Sequence, residues 1–275
     1  MSDGETKLHV ETGVKTERSA ESELLLDLQD LCIVTPARTL VDGVCIQVRS
    51  GRCTAVIGHS GSGKSLSARA CMAVLDVDPG IVRGTLRFPA FSGDKDWFDG
   101  VRGGGMRAQR RLLRQTRTLR GKYVTYSPQS ASSALNPGRT LGWQLKMAIG
   151  RRDQAPADLG QEIAAILERV GLPPRAAASL PSELSGGMAQ RAALAIAIAP
   201  KPPLLIADEP ETGLDPVLRR VVTELMINVA QETNVALMLI SHNMETVERV
   251  ADEVVRLYQP SDTHDSFGNP KEGVA

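Results

Sequence analysis

Aromatic residues are scarce in this sequence of 275 residues. Phe, Trp and Tyr together make up 3% of it, and residues 1–87 contain none. Runs of about 18 consecutive apolar residues are also missing, so we expect no membrane-spanning helix. A net charge is missing as well, since 32 Lys and Arg residues balance 32 Asp and Glu residues. That balance gives no reason to expect nucleic acid as the main partner.

The sequence shows neither closely spaced cysteine pairs nor the pattern of a signal peptide. Cys32, Cys45, Cys53 and Cys71 are scattered without a C-x-x-C pair, which favours reduced and mostly buried thiols. The polar residues 1–23 lack the apolar core of a signal peptide. We therefore expect a disordered N-terminal arm in the cytoplasm, ahead of one large domain that can carry a subdomain.

One stretch has the spacing of a phosphate-binding loop. It is Gly58-His59-Ser60-Gly61-Ser62-Gly63-Lys64-Ser65, which fits G-x-x-x-x-G-K-[ST]. Cys53–Ile57 before it is typical of a buried strand, and Ser65–Leu75 after it is typical of a helix. In this context backbone N–H groups bind phosphate, Lys64 reaches the β- and γ-phosphates, and the Ser65 hydroxyl binds Mg²⁺. The alternative is a Gly/Ser-rich turn that matches by accident, which is expected in roughly one chain of this length in a hundred.

The apolar patterns predict two kinds of strand. Leu24–Val34 and Val44–Val48 alternate in part, which indicates half-buried antiparallel strands before the loop. Leu204–Ala207 and Val235–Ile240 are apolar throughout and are separated by the helical pattern of Pro216–Val229, which indicates a parallel sheet covered on both faces. The predicted fold class is therefore α/β, with a phosphate-loop core, a mainly parallel sheet and an antiparallel β subdomain.

A helical insertion interrupts this pattern. Trp143–Ile149 and Glu162–Val170 are amphipathic, and they predict a helical subdomain over about residues 130–183. The main domain then covers residues 24–258, and residues 259–275 form a polar tail.

A basic segment precedes the insertion. Residues 101–122 carry eight basic residues and no acidic one. The segment can be a surface for phosphate, lipid headgroups or a partner. It can also be a solvated helix, which we favour because charge runs are usually solvated faces.

Polar side chains end two of the buried strands. Asp208 and Glu209 follow one of them, and open α/β sheets bind ligands at such carboxyl ends. Asp208 can hold Mg²⁺ through water, and Glu209 can polarise an attacking water. The structural alternative is a strand-end cap before Pro210. His242 ends another strand, where a lone histidine is usually structural.

The landmarks, taken in order, resemble those of the ATP-binding subunits of ABC transporters. They are the phosphate loop, Gln129 as the glutamine loop, the signature Leu184-Ser185-Gly186-Gly187-Met188-Ala189-Gln190, the strand Leu204-Leu205-Ile206-Ala207-Asp208-Glu209, the loop Gly213-Leu214-Asp215-Pro216, and His242 as the switch histidine. The resemblance covers residues 24–258 and identifies the expected domain as an ABC ATPase domain. It places Asp215, with the loop and the signature, among the nucleotide-binding residues.

The resemblance implies an enzyme that hydrolyses ATP with Mg²⁺. Two subunits pair head to tail, so that Ser185, Gly186 and Gly187 of one cover the γ-phosphate in the loop of the other. Gln129 reaches Mg²⁺ or the lytic water, and His242 contacts the γ-phosphate. The subunit docks on separate permease subunits at the cytoplasmic face of the cell membrane. Its partners are a second ATPase subunit, in a heterodimer or a homodimer, and indirectly a substrate-binding protein, with no nucleic acid.

A narrower resemblance concerns the cargo. Ser133-Ala134-Leu135-Asn136-Pro137 and Glu183-Leu184-Ser185-Gly186-Gly187-Met188 resemble importers of dipeptides, oligopeptides, nickel and metal-chelating opines. The sequence departs from the usual pattern of these subunits at two points. Thr35 lies near the place where they usually stack adenine on an aromatic ring, and no glycine-containing strand pair follows the last core strand. A soluble ABC ATPase acting on ribosomes or DNA is the alternative, and it usually has two cores or a long coiled coil. A kinase with the same loop does not explain the signature.

Overall fold

The structure is a computed structural model that describes residues 12–14, 22–130, 134–212 and 215–258. The chain divides into two compact units. The first unit draws its described residues from the ranges 1–49, 54–117 and 251–275, and the second from 50–53 and 118–250. The expected tail at residues 259–275 and most of the expected arm lie outside the described residues.

The helices and strands follow in chain order. They are β1 (Thr12–Val14), β2 (Leu24–Val34), β3 (Thr39–Arg49), β4 (Cys53–Gly58), α1 (Lys64–Cys71), β5 (Gly80–Arg87), α2 (Pro89–Ser92), α3 (Gly105–Gln115), β6 (Val124–Ser127), α4 (Leu141–Ile149), α5 (Leu159–Arg169), two short 3₁₀ helices (Pro174–Ala178 and Pro181–Glu183), α6 (Gly186–Ile198), β7 (Leu204–Asp208), α7 (Pro216–Thr233), β8 (Ala236–Ile240), α8 (Met244–Val250) and β9 (Glu253–Leu257).

The antiparallel sheet of the first unit has the order β3-β2-β5. Leu28 pairs with Ile46 of β3 and with Leu86 of β5, and all three side chains are fully buried. Strand β3 is longer than the predicted run Val44–Val48, because pairing with the 11-residue β2 extends it. Strand β5 starts at Gly80, which pairs with Val34.

Strand β9 is an element that sequence patterns alone do not predict. It pairs in parallel with β4, from Thr54 opposite Glu253 to Gly58 opposite Leu257. On its other side, β1 pairs antiparallel with it, Thr12 lying opposite Val255. These three residues of β1 depart from the expected disordered arm, because the edge of β9 supplies backbone hydrogen-bonding partners that the polar composition of the arm does not indicate.

The second unit has the parallel strands that the apolar runs predict. β7 pairs with β6 on one side and with β8 on the other, Leu204 lying opposite both Val124 and Ala236. Every residue of β7 and β8 is buried, as strands covered on both faces require.

Helices α4, α5 and α6 contribute to the core of the second unit. Leu145, Leu167 and Leu194 are at most 2% exposed and belong to one apolar cluster with Leu205 and Leu237 of the strands. The helices fall within the predicted subdomain at residues 130–183 and just beyond it, and the boundaries of that subdomain stay a prediction.

Helix α3 accounts for much of the basic segment. It buries Ala108, Gln109 and Leu112, and its arginines, including Arg110 and Arg114, are exposed. An exposed basic face opposite a buried face is the arrangement of a solvated helix. Among the described residues, no helix is both long and apolar enough to cross a membrane.

All four thiols are free. Cys32 and Cys71 are buried, and Cys45 and Cys53 are half-buried. Burial raises the pKa of Cys71 to about 12, and burial together with the charge of Asp42 raises the pKa of Cys32 to about 11. Both thiols are therefore protonated and unreactive near neutral pH.

Candidate functional site

The phosphate loop of the first unit closes around a buried lysine. Lys64 is 6% exposed, and its ammonium group donates hydrogen bonds to the carbonyl oxygens of Gly58 at 2.8 Å and His59 at 2.9 Å. The loop also turns back on itself, since the Ser62 N–H donates to the His59 carbonyl at 3.2 Å. The eight predicted loop residues therefore form one turn that holds a cation at its centre.

Two glycines are required by the backbone of this turn. Gly58 has φ 154°, and a Cβ there would lie 2.5 Å from the Leu257 carbonyl oxygen and 2.6 Å from the Ser62 Oγ. Gly63 has φ 91°, and its Cβ would lie 2.5 Å from a methyl group of Val41. Any larger residue would push β9 or β3 away from the loop.

The start of α1 has the chemistry of an anion site. Gly63 caps the helix without a side-chain hydrogen bond, and no acidic residue lies in the first turn. The Ser62 Oγ is buried and has no hydrogen-bond partner within the described residues. Backbone donors at a helix N-terminus and an unused hydroxyl suit a phosphate group.

In the second unit, Asp208 ends β7 and is 4% exposed. The Tyr126 hydroxyl on the neighbouring strand β6 donates a hydrogen bond to its Oδ2 at 2.8 Å. The next residue, Glu209, has φ 43°, which a non-glycine residue adopts at a cost on the order of 1–3 kcal/mol. Its N–H donates to the Ile240 carbonyl of β8 at 2.9 Å, so the sheet holds this conformation.

Several polar side chains converge on the Glu209 carboxylate. The Gln129 amide and the Thr212 hydroxyl each donate a hydrogen bond to its Oε2 at 3.0 Å. The His242 Nδ1 lies 3.6 Å from the same oxygen. The Glu209 side chain is 18% exposed and the His242 side chain 56%. We call Gln129, Asp208, Glu209 and His242 the carboxylate cluster. Asp208 and the Glu209 backbone are held by the sheet, while the His242 side chain is open to solvent.

The predicted signature lies at the start of α6. The Ser185 Oγ caps the helix by accepting a hydrogen bond from the Met188 N–H at 3.4 Å. Ser185 and Gly186 are exposed, Gly187 is buried, and a Cβ on Gly186 would meet nothing within 4 Å. Asp215 is exposed before α7, and its carbonyl accepts from the Arg219 N–H at 2.9 Å. Gly213 and Leu214 lie outside the described residues.

The structure adds Tyr126 and Thr212 to the predicted set. Tyr126 lies opposite Ile206 in the β6–β7 register, two residues before Asp208, so only the strand pairing reveals its contact. Thr212 follows Glu209 by one tight turn, in which its N–H donates to the Glu209 carbonyl at 3.0 Å.

Comparison with known proteins places these features in a family. The family model described as ABC transporter matches residues 41–212. The dipeptide transport ATP-binding protein DppD of Escherichia coli K12 is 33% identical over 239 residues, which cover 84% of this chain and 68% of that protein. The nickel import ATP-binding protein NikD of Rhodospirillum rubrum is 36% identical over 225 residues, which cover 80% of this chain and 77% of that protein.

Solved structures agree with this placement. One described as the ATP-binding subunit of an ABC transporter has 26% sequence identity and a TM-score of 0.65, covering 85% of this chain and 86% of its own. A dimeric ATP-binding cassette bound to ADP and Pi has a TM-score of 0.66 at 20% identity, with 85% of this chain and 94% of its own covered, and shows the fold alone.

The fold is that of an α/β phosphate-loop ATPase, which confirms the predicted fold class. The chain belongs to the ABC transporter family, as an ATP-binding and ATP-hydrolysing subunit that powers transport through separate membrane subunits. The relatives named above are transport subunits, so the alternative of an ATPase acting on ribosomes or DNA has no support.

Proposed function

We propose that this chain powers the import of peptides, nickel or a metal chelate from the cytoplasmic face of the cell membrane. The observation that carries the proposal is the similarity, over 84% and 80% of the chain, to subunits named for dipeptide transport and nickel import. Other subunits select the cargo, and a substrate-binding protein delivers it to them.

The residues predicted to bind nucleotide and metal fit a magnesium nucleotide by their chemistry. Mg²⁺ prefers oxygen ligands, and the Ser65 hydroxyl, the Asp208 carboxylate and the Gln129 amide oxygen are of this kind. The Gln129 amide nitrogen donates to Glu209, which leaves its oxygen end to accept. Mg²⁺, when bound, neutralises charge on the β- and γ-phosphates. Lys64 exchanges its carbonyl partners for phosphate oxygens, which form stronger, charge-assisted hydrogen bonds.

Glu209 is the proposed general base. Its carboxylate orients a water molecule and accepts a proton as the water oxygen bonds to the γ-phosphorus. The bond from that phosphorus to the β–γ bridging oxygen breaks, and ADP and phosphate leave. Gln129 positions the same water, and the exposed His242 binds a γ-phosphate oxygen. The fixed backbone of Glu209 supports this role because a general base must be held within hydrogen-bond reach of the proton that it takes.

The exposed signature supports a head-to-tail pairing of two ATPase subunits. A helix start with exposed Ser185 and Gly186 is suited to bind the γ-phosphate in the loop of a second subunit. Asp215, also exposed, would join the nucleotide-binding residues at that pairing. We propose a heterodimer with a second ATPase subunit in the assembled transporter, because the importers that this chain resembles often pair two different ATPases.

Ser185→Arg tests this arrangement in the transporter assembled from this chain, its permeases and the second ATPase. The substitution should disable the site built on the partner's phosphate loop and leave nucleotide binding at Lys64 of this chain intact. Ser182→Arg is the matched control, since Ser182 is an exposed serine just before the signature. Loss of nucleotide at this chain's own loop, with turnover kept at the partner's site, would show that the pairing is not head to tail. Uptake assays with dipeptides and with nickel then test the class of cargo.

A further inference from the structure

A buried carboxyl group lies two residues beyond Glu209, outside the roles proposed for the carboxylate cluster. Glu211 is 2% exposed. Within the described residues, no Lys, Arg or His side chain forms an ion pair with it. Burying a carboxyl group without a cation is costly unless hydrogen bonds compensate it.

Two hydroxyl groups supply that compensation. The Ser241 hydroxyl donates to Oε1 of Glu211, and the Thr246 hydroxyl donates to Oε2 at 3.2 Å. Ser241 is fully buried and Thr246 is 7% exposed. Each hydroxyl lies near His242 in the chain, one directly before it and one four residues after it, so Glu211 holds the histidine's segment at both ends.

The same segment is tied together internally. The Asn243 N–H donates to the Ser241 Oγ at 3.0 Å, and the Thr246 N–H donates to the Asn243 Oδ1 at 3.3 Å. His242 is therefore an exposed residue whose neighbours in the chain are fixed to the Glu211 carboxyl group. Ser241 and Thr246 bond to it directly, and Asn243 is linked to it through these two residues.

Glu211 also belongs to the turn that carries Glu209. The Thr212 N–H donates to the Glu209 carbonyl at 3.0 Å, which closes the turn around Pro210 and Glu211. One side chain thus joins the turn of Glu209 to the loop of His242, at the ends of the adjacent strands β7 and β8.

We infer that Glu211 is a positioning residue that sets the place of His242 relative to the Glu209 carboxylate. The 3.6 Å separation between the His242 Nδ1 and the Glu209 Oε2 depends on two segments that follow different strands. With the buried carboxyl group removed, the segment of His242 keeps only the hydrogen bonds among its own residues, and its link to the turn of Glu209 is lost. The inference rests on the roles proposed for Glu209 and His242.

Steady-state ATP hydrolysis by the assembled transporter tests the inference. Glu211→Ala should lower kcat about 10- to 100-fold, because a misplacement of about 1 Å in a catalytic group has that effect. The KM for ATP should change less than about threefold, since Lys64 and the phosphate loop keep their contacts with the nucleotide. Ser241→Ala should act in the same direction, and the double variant should be no worse than the worse single variant. Glu245→Gln is the matched control, because it removes an exposed carboxylate from the same segment and should leave kcat unchanged.

A spectroscopic readout separates positioning from general stability. In the full chain with isotope-labelled histidine, Glu211→Ala should broaden or shift the imidazole signal of His242, while Glu245→Gln should not. His242→Ala, measured beside these variants, tests the proposed role of His242. If it keeps full turnover, that role is wrong, and the imidazole signal alone then decides the role of Glu211.

Three results would overturn the inference. They are a kcat for Glu211→Ala within twofold of wild type, a loss of activity that follows only the fraction of folded protein, and an unchanged His242 signal. Should Glu211→Ala fail to fold, Glu211→Gln replaces it, because it keeps the side-chain volume and one acceptor oxygen. A loss of kcat of at least about tenfold is then expected, because the amide nitrogen cannot accept the hydrogen bond that one of the two hydroxyls donates.

Discussion

The phosphate loop and the carboxylate cluster are built in opposite ways. The loop is contiguous, and the ammonium group of Lys64 is held by the carbonyls of residues five and six positions earlier in the chain. The cluster is dispersed, since Gln129 and Glu209 are 80 residues apart and His242 follows far beyond both. One is fixed by the local conformation of glycines, and the other by the register of strands β6, β7 and β8.

Because of this difference, substitutions in the two regions should affect different steps of the ATPase reaction. A substitution in the loop alters one turn, and its effect should appear in nucleotide binding. A substitution in the cluster alters an alignment between strands, and its effect should appear in turnover. Measuring affinity and kcat for variants of each region tests whether the two functions separate in this way.

Glu209→Gln should have the largest effect, and only on turnover. The amide keeps the volume of the side chain and one acceptor oxygen but cannot accept the proton. Losing a general base lowers the rate about 10²- to 10⁴-fold. The measurement is steady-state ATPase activity in the assembled complex, with ATP affinity expected near that of wild type. The exposed Glu168→Gln serves as control, and activity close to wild type in Glu209→Gln would remove Glu209 from this role.

Lys64→Ala should come next, and it should act on binding. The side chain is buried within the loop, and a hydrogen bond to a charged group contributes about 1.5–3 kcal/mol, or roughly 10- to 100-fold in affinity. Titration of the full chain with ATP gives the dissociation constant. Lys146→Ala removes an exposed lysine and should change nothing. Equal affinities of Lys64→Ala and wild type would contradict the assignment of the loop.

Tyr126→Phe should have a smaller effect, again on turnover. It removes the hydroxyl that donates to Asp208 and leaves the ring in place. A net hydrogen bond of about 0.5–1.5 kcal/mol corresponds to a loss of kcat of roughly 2- to 13-fold. Tyr258→Phe, which removes a hydroxyl on the residue directly after β9, is the control. An unchanged kcat would mean that Asp208 is held by its strand alone.

The sequence predicts the contiguous region better than the dispersed one. Spacing alone predicts the roles of Lys64 and Ser65, because the chemistry of the loop lies within eight neighbouring residues. The resemblance adds Gln129 and His242. The hydroxyls of Tyr126 and Thr212 and the carboxyl group of Glu211 escape prediction, since their contacts depend on register and turn geometry. Strand β9 escapes because only its pairing with β4 distinguishes it from a loop.

In the wild-type chain, the smallest expected difference is between the affinities for ATP and GTP. At the β2–β3 turn, the Thr35 hydroxyl donates to the Arg38 carbonyl and accepts from the Arg38 N–H, and the Thr35 N–H donates to the same carbonyl. Residues 36–38 are exposed Pro, Ala and Arg, without an aromatic ring.

Phosphate contacts should therefore dominate binding, and the affinities for ATP and GTP should differ by no more than about tenfold, because stacking on a ring, worth roughly 1–3 kcal/mol per base, is missing.

Thr35→Tyr sharpens the test. If the turn faces the base, the added ring should strengthen the binding of both nucleotides about 5- to 150-fold in the same titration, as stacking of that strength implies. Pro36→Ala, an exposed change in the same turn, should leave both affinities as they are. A preference for ATP of a hundredfold or more in the wild-type chain would mean that another residue, from the N-terminal arm or from a partner, holds the adenine. In that case nucleotide binding would depend on distant parts of the molecule, as the carboxylate cluster does, and the loop would be less self-contained than its geometry indicates.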